Sequence, residues 1–298
     1  MTTQQLYLCT TRKASHSRLV ASAPSLCQCN PATRWGFLTL LAGEYKFLSM
    51  QRVVKQPGIP AAELLPRYYS LLRARFGPQR WWPARTRLEV ILGAMLTQNT
   101  TWHNATLALR NLRQSGLLSW QALRRACPSA LEACVRPSGF YRQKTRTIRN
   151  FVDWLVREHA GSLNRLFSLS SEELRRRLLE LRGLGPETVD AILLYAVRRP
   201  LFVADAYTRR VLARHGLVSA AADYHQTQEF LHAHLPPETP LFNEFHALLV
   251  EVGKKHCRPR SPKCAGCPLE EFLPAGGVAQ PRAQASAGTC VAQELQPA

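Results

Sequence analysis

Apolar side chains recur at helical spacing along most of the chain. Segment 145–158 shows this most clearly, with Ile148, Phe151 and Leu155 on one face. Segment 87–95 is almost continuously apolar, which is typical of a buried helix. Further helices are predicted over residues 66–76, 106–115, 121–126, 170–181, 186–197, 206–214 and 242–254. Because no segment alternates convincingly between apolar and polar residues, the sequence predicts an all-α fold.

Several helix ends are marked by residues that satisfy free backbone groups. Ser170 followed by Glu173 is a capping box and opens a helix. Pro186 begins the next helix, where its missing N–H costs nothing. Asp205 is placed to cap a helix that ends just before Gly216. These signals predict short helices joined by tight turns.

The charge of the chain favours a polyanionic partner. Its 298 residues carry a formal net charge of +19, and residues 1–50 contribute only five basic side chains and one acid. Such an excess in the body of the chain favours nucleic acid or an anionic membrane surface. No apolar run approaches the roughly 20 residues of a membrane helix. We therefore expect a soluble protein, cytoplasmic and nucleoid-associated in a bacterium, with no membrane partner.

The two ends differ in composition from the middle. Residues 1–50 are rich in Ser, Thr, Ala and Cys, with no acid before Glu44. They suit either an organelle-targeting leader or a disordered or non-native extension upstream of a start at Met50. We favour the second interpretation. Residues 275–298 are rich in Ala, Gln and Pro, and we expect a disordered tail.

A turn with two glycines stands between two predicted helices. Residues 181–188 read Leu-Arg-Gly-Leu-Gly-Pro-Glu-Thr, with Gly183 and Gly185 in the turn. Glycine lets another backbone come close, and the free N–H groups of the next helix, near Thr188, can hold a phosphate oxygen. An ordinary corner between helices would also use such a turn. The hairpin is therefore a candidate contact to a DNA backbone.

An aspartate opens the predicted helix 206–214, after the apolar helix that follows the hairpin. Asp205 lies 20 residues after Gly185. A fixed carboxylate can stabilise positive charge and orient water. An isolated Asp at this place would more simply be an N-cap, and the two roles are compatible.

Taken together, the hairpin, the apolar helix and Asp205 resemble the helix-hairpin-helix DNA glycosylases of the endonuclease III-like superfamily. The resemblance covers residues 62–270. It implies that Asp205 is the catalytic carboxylate and that the partner is double-stranded DNA with a damaged base, bound by a monomer. The segment Leu96-Thr97-Gln98-Asn99-Thr100 resembles the family's loop that probes the opened duplex, with Gln98 as the wedge and Asn99 beside it.

The resemblance also implies an architecture. A barrel-like lobe of about six helices spans residues 85–205, and a second lobe combines residues 51–84 with 206–274. Asp205 and Glu187 should face the cleft between them. Gly139-Phe140-Tyr141 with Lys144 matches the endonuclease III-related, 3-methyladenine glycosylase-like branch. That branch suits alkylated purines, whereas endonuclease III suits oxidised pyrimidines.

One departure from the family concerns strand cleavage. Bifunctional relatives carry a lysine two residues after the second hairpin glycine, and this lysine forms a Schiff base. The corresponding residue here is Glu187, either part of the base pocket or an ordinary first-turn acid. The sequence therefore predicts hydrolytic base removal. A bifunctional glycosylase and abasic-site lyase would need another amine, such as Lys144, and a non-catalytic DNA-structure binding protein would not need Asp205.

A second departure concerns a metal centre. Cys257, Cys264 and Cys267 match the first three ligands of the family's iron–sulfur loop, but the fourth position is Leu273. We expect a [4Fe–4S] cluster all the same. The fourth iron would take Cys290, His256 or a small exogenous ligand; otherwise the cluster is lost and the thiols are vestigial or bind zinc. The other histidines, His232, His234 and His246, are interpreted as surface or satisfied core residues.

Overall fold

The computed structural model describes residues 59–82 and 84–278, all within one compact unit. The all-α prediction is confirmed, since this part of the chain contains helices and no strand. The α-helices are α1 (Ala61–Phe76), α2 (Arg87–Leu96), α3 (Trp102–Gln114), α4 (Trp120–Arg125), α5 (Pro128–Val135), α6 (Tyr141–His159), α7 (Leu163–Phe167), α8 (Ser171–Leu179), α9 (Pro186–Ala191), α10 (Ala206–Arg214), α11 (Tyr224–His234) and α12 (Thr239–Lys255). A π-helical segment, Ile192–Val197, continues α9 and is called the π segment below.

The structure corrects several helix predictions. Between residues 85 and 205 it has eight α-helices rather than about six, because α5 and α7 are too short to show a period. The weakly amphipathic α11 was also missed. Helix α1 begins at Ala61, before Pro66, which lies inside it. The proline removes one hydrogen bond without ending the helix. Residues 1–50, Met50 and Cys290 lie outside the described residues, and the division into two lobes stays a prediction.

Helix α2 forms the centre of the core. Every residue from Leu88 to Leu96 is buried, and Thr86 caps the helix by accepting a hydrogen bond from the N–H of Glu89. Its neighbours include α3, α6, α9 and the π segment. At ten residues α2 is too short to cross a bilayer, and no other helix within the described ranges combines the necessary length and apolarity. The core therefore fixes the hairpin and the π segment relative to α2.

A buried carboxylate ties three helices together behind the hairpin. Asp190 on α9 is fully buried and accepts two hydrogen bonds from the Arg175 guanidinium on α8, at 2.7 and 3.1 Å. Tyr224 and Gln228 on α11 donate to its second oxygen, each at 2.8 Å. Because a buried charge is tolerated only when it is well paired, this network fixes the direction of α9. The first turn of α9 is thereby oriented toward Asp205.

Candidate active site

Asp205 combines the two roles that the sequence suggested. It is buried, with 9% of its surface exposed, and it caps α10 through a 2.7 Å hydrogen bond from the N–H of Thr208 to Oδ1. The other oxygen, Oδ2, lies 3.6 Å from Nε2 of His246. Burial alone would raise the pKa of Asp205, but the interactions with His246 and Thr208 outweigh it and lower the pKa. The carboxylate is thus held ionised.

Glu187 lies in the first turn of α9, within electrostatic range of Asp205. The residue is exposed, yet the protein around its carboxyl group raises the pKa by desolvation, and the charge of Asp205 raises it further. His246 and Arg209 act in the opposite direction. The site therefore contains two carboxyl groups whose pKa values are shifted apart, a pattern typical of acid–base pairs.

Tyr195 and His246 complete a network that the sequence prediction missed. Both are buried, and the Tyr195 hydroxyl lies 2.5 Å from Nδ1 of His246. His246 was interpreted as a surface or satisfied core residue. The structure corrects this, because its second nitrogen has no hydrogen-bond partner and faces Asp205. The sequence did contain a signal for this role, because His246 is an ionisable residue on the apolar face of α12, next to Phe242 and Phe245.

An aromatic cluster, formed by Trp81, Trp82 and Trp102, adjoins this network. The rings of Trp81 and Trp102 are stacked with centroids 5.7 Å apart, and Trp82 lies 5.0 Å from Tyr195. Trp81 also makes an edge contact with His246. The indole N–H groups of Trp81 and Trp82 are buried without a partner. Trp82 has φ +72°, and such backbone strain is concentrated at functional sites. The sequence prediction did not single out this cluster.

The two hairpin glycines have different reasons to be glycine. Gly183 has φ +99°, and a Cβ there would lie 2.1 Å from Oγ1 of Thr147. A Cβ on Gly185 would meet no atom within 4 Å. Packing inside the protein therefore requires glycine at position 183. At position 185 the absence of a side chain leaves space that a bound molecule could approach. The free N–H groups at the start of α9 are next to this space.

Sequence and structure comparisons agree on one family. A family model described as the HhH-GPD superfamily of base excision DNA repair proteins matches residues 92–237. A relative from Methanocaldococcus jannaschii, MJ1434, which is named for DNA repair glycosylase activity, is 39% identical over 212 residues that cover 70% of this chain and 96% of the relative. The chain belongs to the HhH-GPD superfamily. It is a DNA repair glycosylase and binds DNA.

Other relatives of this HhH-GPD protein include endonuclease III and an alkylation-repair glycosylase. Endonuclease III of Sulfolobus acidocaldarius is 28% identical over 63% of this chain and 82% of its own length. The structure of H. pylori 3-methyladenine DNA glycosylase bound to 1,N6-ethenoadenine has a TM-score of 0.58 and 27% identity, and the match covers 66% of this chain and 98% of that one. A trapped endonuclease III–DNA intermediate, with a TM-score of 0.63, 20% identity and coverage of 72% and 96%, shares the fold.

In this HhH-GPD protein the loop that carries Gln98 is hydrogen-bonded to the hairpin. The side-chain amide of Gln98 donates to the carbonyl of Gly183 at 3.0 Å and to Oγ1 of Thr188 at 2.8 Å. Asn99 is exposed and has φ +51°. These contacts bring together three of the predicted DNA-binding residues, Gln98, Gly183 and Thr188. Gln98 must release both bonds before it can enter a duplex.

A second loop lies beside the first. The buried Lys144 ammonium donates to the carbonyl of Leu96 at 2.9 Å and to that of Ser138 at 2.6 Å, which joins the two loops. Phe140, in the second loop, has 66% of its surface exposed and φ +45°. A large apolar side chain held in water in a strained backbone suggests a contact with a partner. The sequence prediction named this motif but not Phe140 as a contact.

The cysteine loop supplies three of the four thiols of the family's cluster. Cys257, Cys264 and Cys267 line one small pocket, and Leu273 lines the same pocket. The guanidinium of Arg214 donates to the sulfur of Cys257 at 3.3 Å. Within residues 59–82 and 84–278, no set of three or more His, Cys, Asp or Glu side chains is arranged to hold a metal ion. The pocket thus offers three thiols, and the apolar side chain of Leu273 takes the place of the fourth that a four-thiolate cubane would use.

Proposed function

We propose that this glycosylase is monofunctional: it hydrolyses the N-glycosidic bond of an alkylated purine and leaves the strand intact. The observation that carries the proposal is the pair formed by Asp205 and Glu187 at the start of two helices, where bifunctional relatives have a lysine in place of Glu187. A carboxylate cannot form the Schiff base that strand cleavage by a lyase requires.

Of the four lysines in the described part of the chain, Lys263 is exposed on the cysteine loop and the other three are engaged in contacts of their own. The Lys144 ammonium is buried against two backbone carbonyls. Lys254 lies over the Trp81 ring, two turns of α12 beyond His246, and eight residues of helix rise by about 12 Å. Lys255 pairs with Glu251. None of these contacts places an amine on Asp205, which supports attack by water.

The opposite pKa shifts of the two carboxyl groups suit hydrolysis. Asp205 stays ionised and stabilises the positive charge that develops on the sugar. Glu187 holds its proton to higher pH, so it is suited to donate a hydrogen bond or a proton to the departing base. The C1′–N bond breaks as the base departs with the hydrogen bond or proton from Glu187, water forms the new C1′–O bond and loses a proton to Asp205, and no covalent intermediate is needed.

The aromatic cluster supports alkylated purines as the substrate class. Indole rings offer flat apolar faces to a base and attract cations, so a purine made cationic by alkylation is favoured over a neutral one. Trp81 and Trp102 are only partly buried, and Trp81 makes an edge contact with His246. The 3-methyladenine glycosylase whose structure is similar binds 1,N6-ethenoadenine, a modified purine. Gln98 and Phe140 are the side chains we expect to enter the duplex as the base leaves the stack.

A single-turnover assay tests this proposal. Duplexes carrying 3-methyladenine, 7-methylguanine, 1,N6-ethenoadenine or thymine glycol are incubated with excess protein, and half of each sample is treated with hot alkali. Breaks on the alkylated purines only after alkali are expected. Equal breaks in both halves would overturn monofunctionality, and release of thymine glycol alone would overturn the substrate class. A Trp102→Ala variant should slow purine release and leave duplex affinity nearly unchanged.

One observation favours a bifunctional alternative. Desolvation lowers the pKa of Lys144 to about 8, so part of this amine is unprotonated at neutral pH. A nucleophilic amine would be trapped on the DNA by sodium borohydride. Trapping in the wild type that is lost in Lys144→Met, with the fold intact, would favour the lyase over the hydrolase.

We also propose that the cysteine loop retains an iron–sulfur cluster through its three thiolates, with the fourth iron bound by a ligand other than residue 273. Arg214 is placed to neutralise thiolate charge at Cys257. Arg258 and Lys263 lie exposed on the same loop, where a cluster would hold them for DNA phosphates. Iron and sulfide assays on protein purified without oxygen test this, and protein free of both would contradict it.

A further inference from the structure

We propose that Tyr195 and His246 are positioning residues for Asp205, forming a chain from the tyrosine hydroxyl through the imidazole to the carboxylate. The proposal rests on Asp205 acting in base hydrolysis as proposed above. The three side chains come from the π segment, α12 and the start of α10, so only the folded chain brings them together. At most 9% of each residue is exposed.

The two contacts of the imidazole differ in kind. Nδ1 is hydrogen-bonded to the Tyr195 hydroxyl at 2.5 Å, whereas Nε2 is 3.6 Å from Oδ2 of Asp205 and has no other partner. A separation of 3.6 Å is too long for a hydrogen bond. Catalytic hydrogen bonds in free enzymes are often long and shorten when substrate is bound. Nε2 of His246 is thus placed to form a hydrogen bond with the Asp205 carboxylate when substrate is bound.

The Tyr195 hydroxyl has two acceptors within reach, Nδ1 of His246 at 2.5 Å and the carbonyl of Asn243 at 3.5 Å, and in our proposal it donates its proton to the nearer one. Burial raises the pKa of Tyr195, with smaller effects of the same sign from Asp205 and Glu244, so the hydroxyl remains a donor. A hydroxyl that donates to Nδ1 leaves the imidazole proton on Nε2. That N–H faces Oδ2 of Asp205. It stabilises the ionised carboxylate and fixes the rotation that aims Asp205 at the sugar.

The other charged groups near the site do not replace this chain. Asp205 raises the pKa of Glu187 on α9, and Arg209 on α10 lowers the pKa of that same group. Glu244 on α12 raises the pKa of Tyr195, and the Lys254 ammonium lies over the ring of Trp81. The side chain from another element that faces Asp205 is that of His246, at 3.6 Å, and the hydrogen bond to Asp205 comes from the N–H of Thr208 on the helix that Asp205 caps.

The test measures the rate of base release against pH for three variants under single turnover, alongside duplex affinity. Asp205 must be ionised, so activity falls as pH drops through its pKa. Removing a group that stabilises the carboxylate raises that pKa and moves the acid limb to higher pH. We expect Tyr195→Phe and His246→Leu to lose roughly 10- to 100-fold in rate and to shift the acid limb upward by about one pH unit. Compared with His246→Leu, His246→Gln should regain part of the rate and part of the acid-limb position, because its side-chain amide can donate a hydrogen bond toward Asp205.

A second tyrosine–histidine pair provides a matched control. The Tyr68 hydroxyl lies 2.9 Å from Nδ1 of His215, and both residues are buried, but the pair lies beside the cysteine loop. Tyr68→Phe removes the same hydroxyl from the same kind of bond. We expect Tyr68→Phe and Tyr195→Phe to lower the melting temperature to a similar extent. In Tyr68→Phe the rate of base release and the acid limb should remain those of the wild type.

The outcomes separate this inference from the proposed function. A wild type that releases no base from any lesion would overturn the proposed function itself. An active wild type with variants whose acid limb stays in place, even if slowed or less stable, would overturn the positioning role and leave the function standing. Full activity in Tyr195→Phe together with loss in His246→Leu would overturn the chain and leave His246 acting alone.

Discussion

Oδ2 of Asp205 lies 3.6 Å from Nε2 of His246, so a buried carboxylate faces a buried imidazole across the site. On the far side of the imidazole ring, the Tyr195 hydroxyl is hydrogen-bonded to Nδ1, and in our proposal this bond places the ring proton on Nε2. Glu187 lies within electrostatic range of Asp205, and its pKa is raised. The consequences of this arrangement for catalysis, DNA binding and stability can each be measured.

Replacing Asp205 by Asn should abolish base release and spare the fold. Asparagine caps a helix about as well as aspartate, so α10 should keep its start. It cannot stabilise a developing cation, and we expect a rate loss of at least about 100-fold with unchanged duplex affinity. Asp223→Asn is the control, because Asp223 caps α11 in the same way. Unchanged turnover in Asp205→Asn would favour a non-catalytic binding protein.

Alanine at the two hairpin glycines should have opposite effects. Gly183→Ala forces a side chain into a left-handed backbone against Thr147 and should destabilise the fold by about 1–3 kcal/mol. Gly185→Ala meets no protein atom, so the melting temperature should not change, while duplex affinity falls because a methyl group separates the backbone from a phosphate. Equal DNA binding by Gly185→Ala and the wild type would show that no DNA backbone approaches there.

A lysine at position 187 should create lyase activity. Glu187→Lys places an amine in the first turn of α9, where bifunctional relatives carry theirs. Borohydride should then trap a covalent protein–DNA complex, and breaks should appear without alkali. Glu187→Gln provides the comparison: it should give no trapped complex and release the base more slowly, since it has no proton to donate. Trapping by the wild type to the same extent would contradict the monofunctional proposal.

The buried Lys144 should make stability depend on pH above neutrality. Desolvation lowers its pKa from 10.5 to about 8 in the folded protein. Between these values the unfolded chain binds more protons than the folded one, so the free energy of unfolding should rise with pH. Urea titrations from pH 7 to 10 on the wild type and Lys144→Met measure the difference. A difference that is independent of pH would show that the ammonium keeps its ordinary pKa.

Restoring the missing thiol should change the iron content. Leu273→Cys adds a fourth thiolate to the pocket that Cys257, Cys264 and Cys267 already line. We expect more iron and sulfide per chain, and less in Cys264→Ser, when all three proteins are purified without oxygen. If Leu273→Cys gains no iron, the position of residue 273 does not limit cluster binding.

The sequence predicted the parts of the site that are close together along the chain. The hairpin and Asp205 are local signals, since glycines and an N-cap act on their own backbone neighbours. His246 faces Asp205, and Trp81 contacts His246, only through the packing of α12 and of the loop before α2, and no local sequence pattern predicts such contacts. Tyr195 looked like one more apolar position of a buried helix.

The helix lengths show the same limit. Helix α2 was predicted well because its residues are buried on all sides, whereas α11 was missed because its apolar residues form no clear face. The predicted start at Pro66 was wrong, because tertiary packing of α1 outweighed one lost hydrogen bond. A single residue's preference decides least where one face of the helix packs into the core.

The π segment gives the site a register of its own. A π-helical turn contains one residue more than an α-helical turn, so Tyr195 points in a direction that an uninterrupted α-helix after Pro186 would not give it. Deleting one residue between Ile192 and Leu194 would let the segment regularise and would turn position 195 by about 100°, the step of an α-helix. The Tyr195 hydroxyl would then lose its contact with His246, although none of Tyr195, His246 and Asp205 had been substituted. Spacing along this helix, as much as residue identity, is therefore part of the active site.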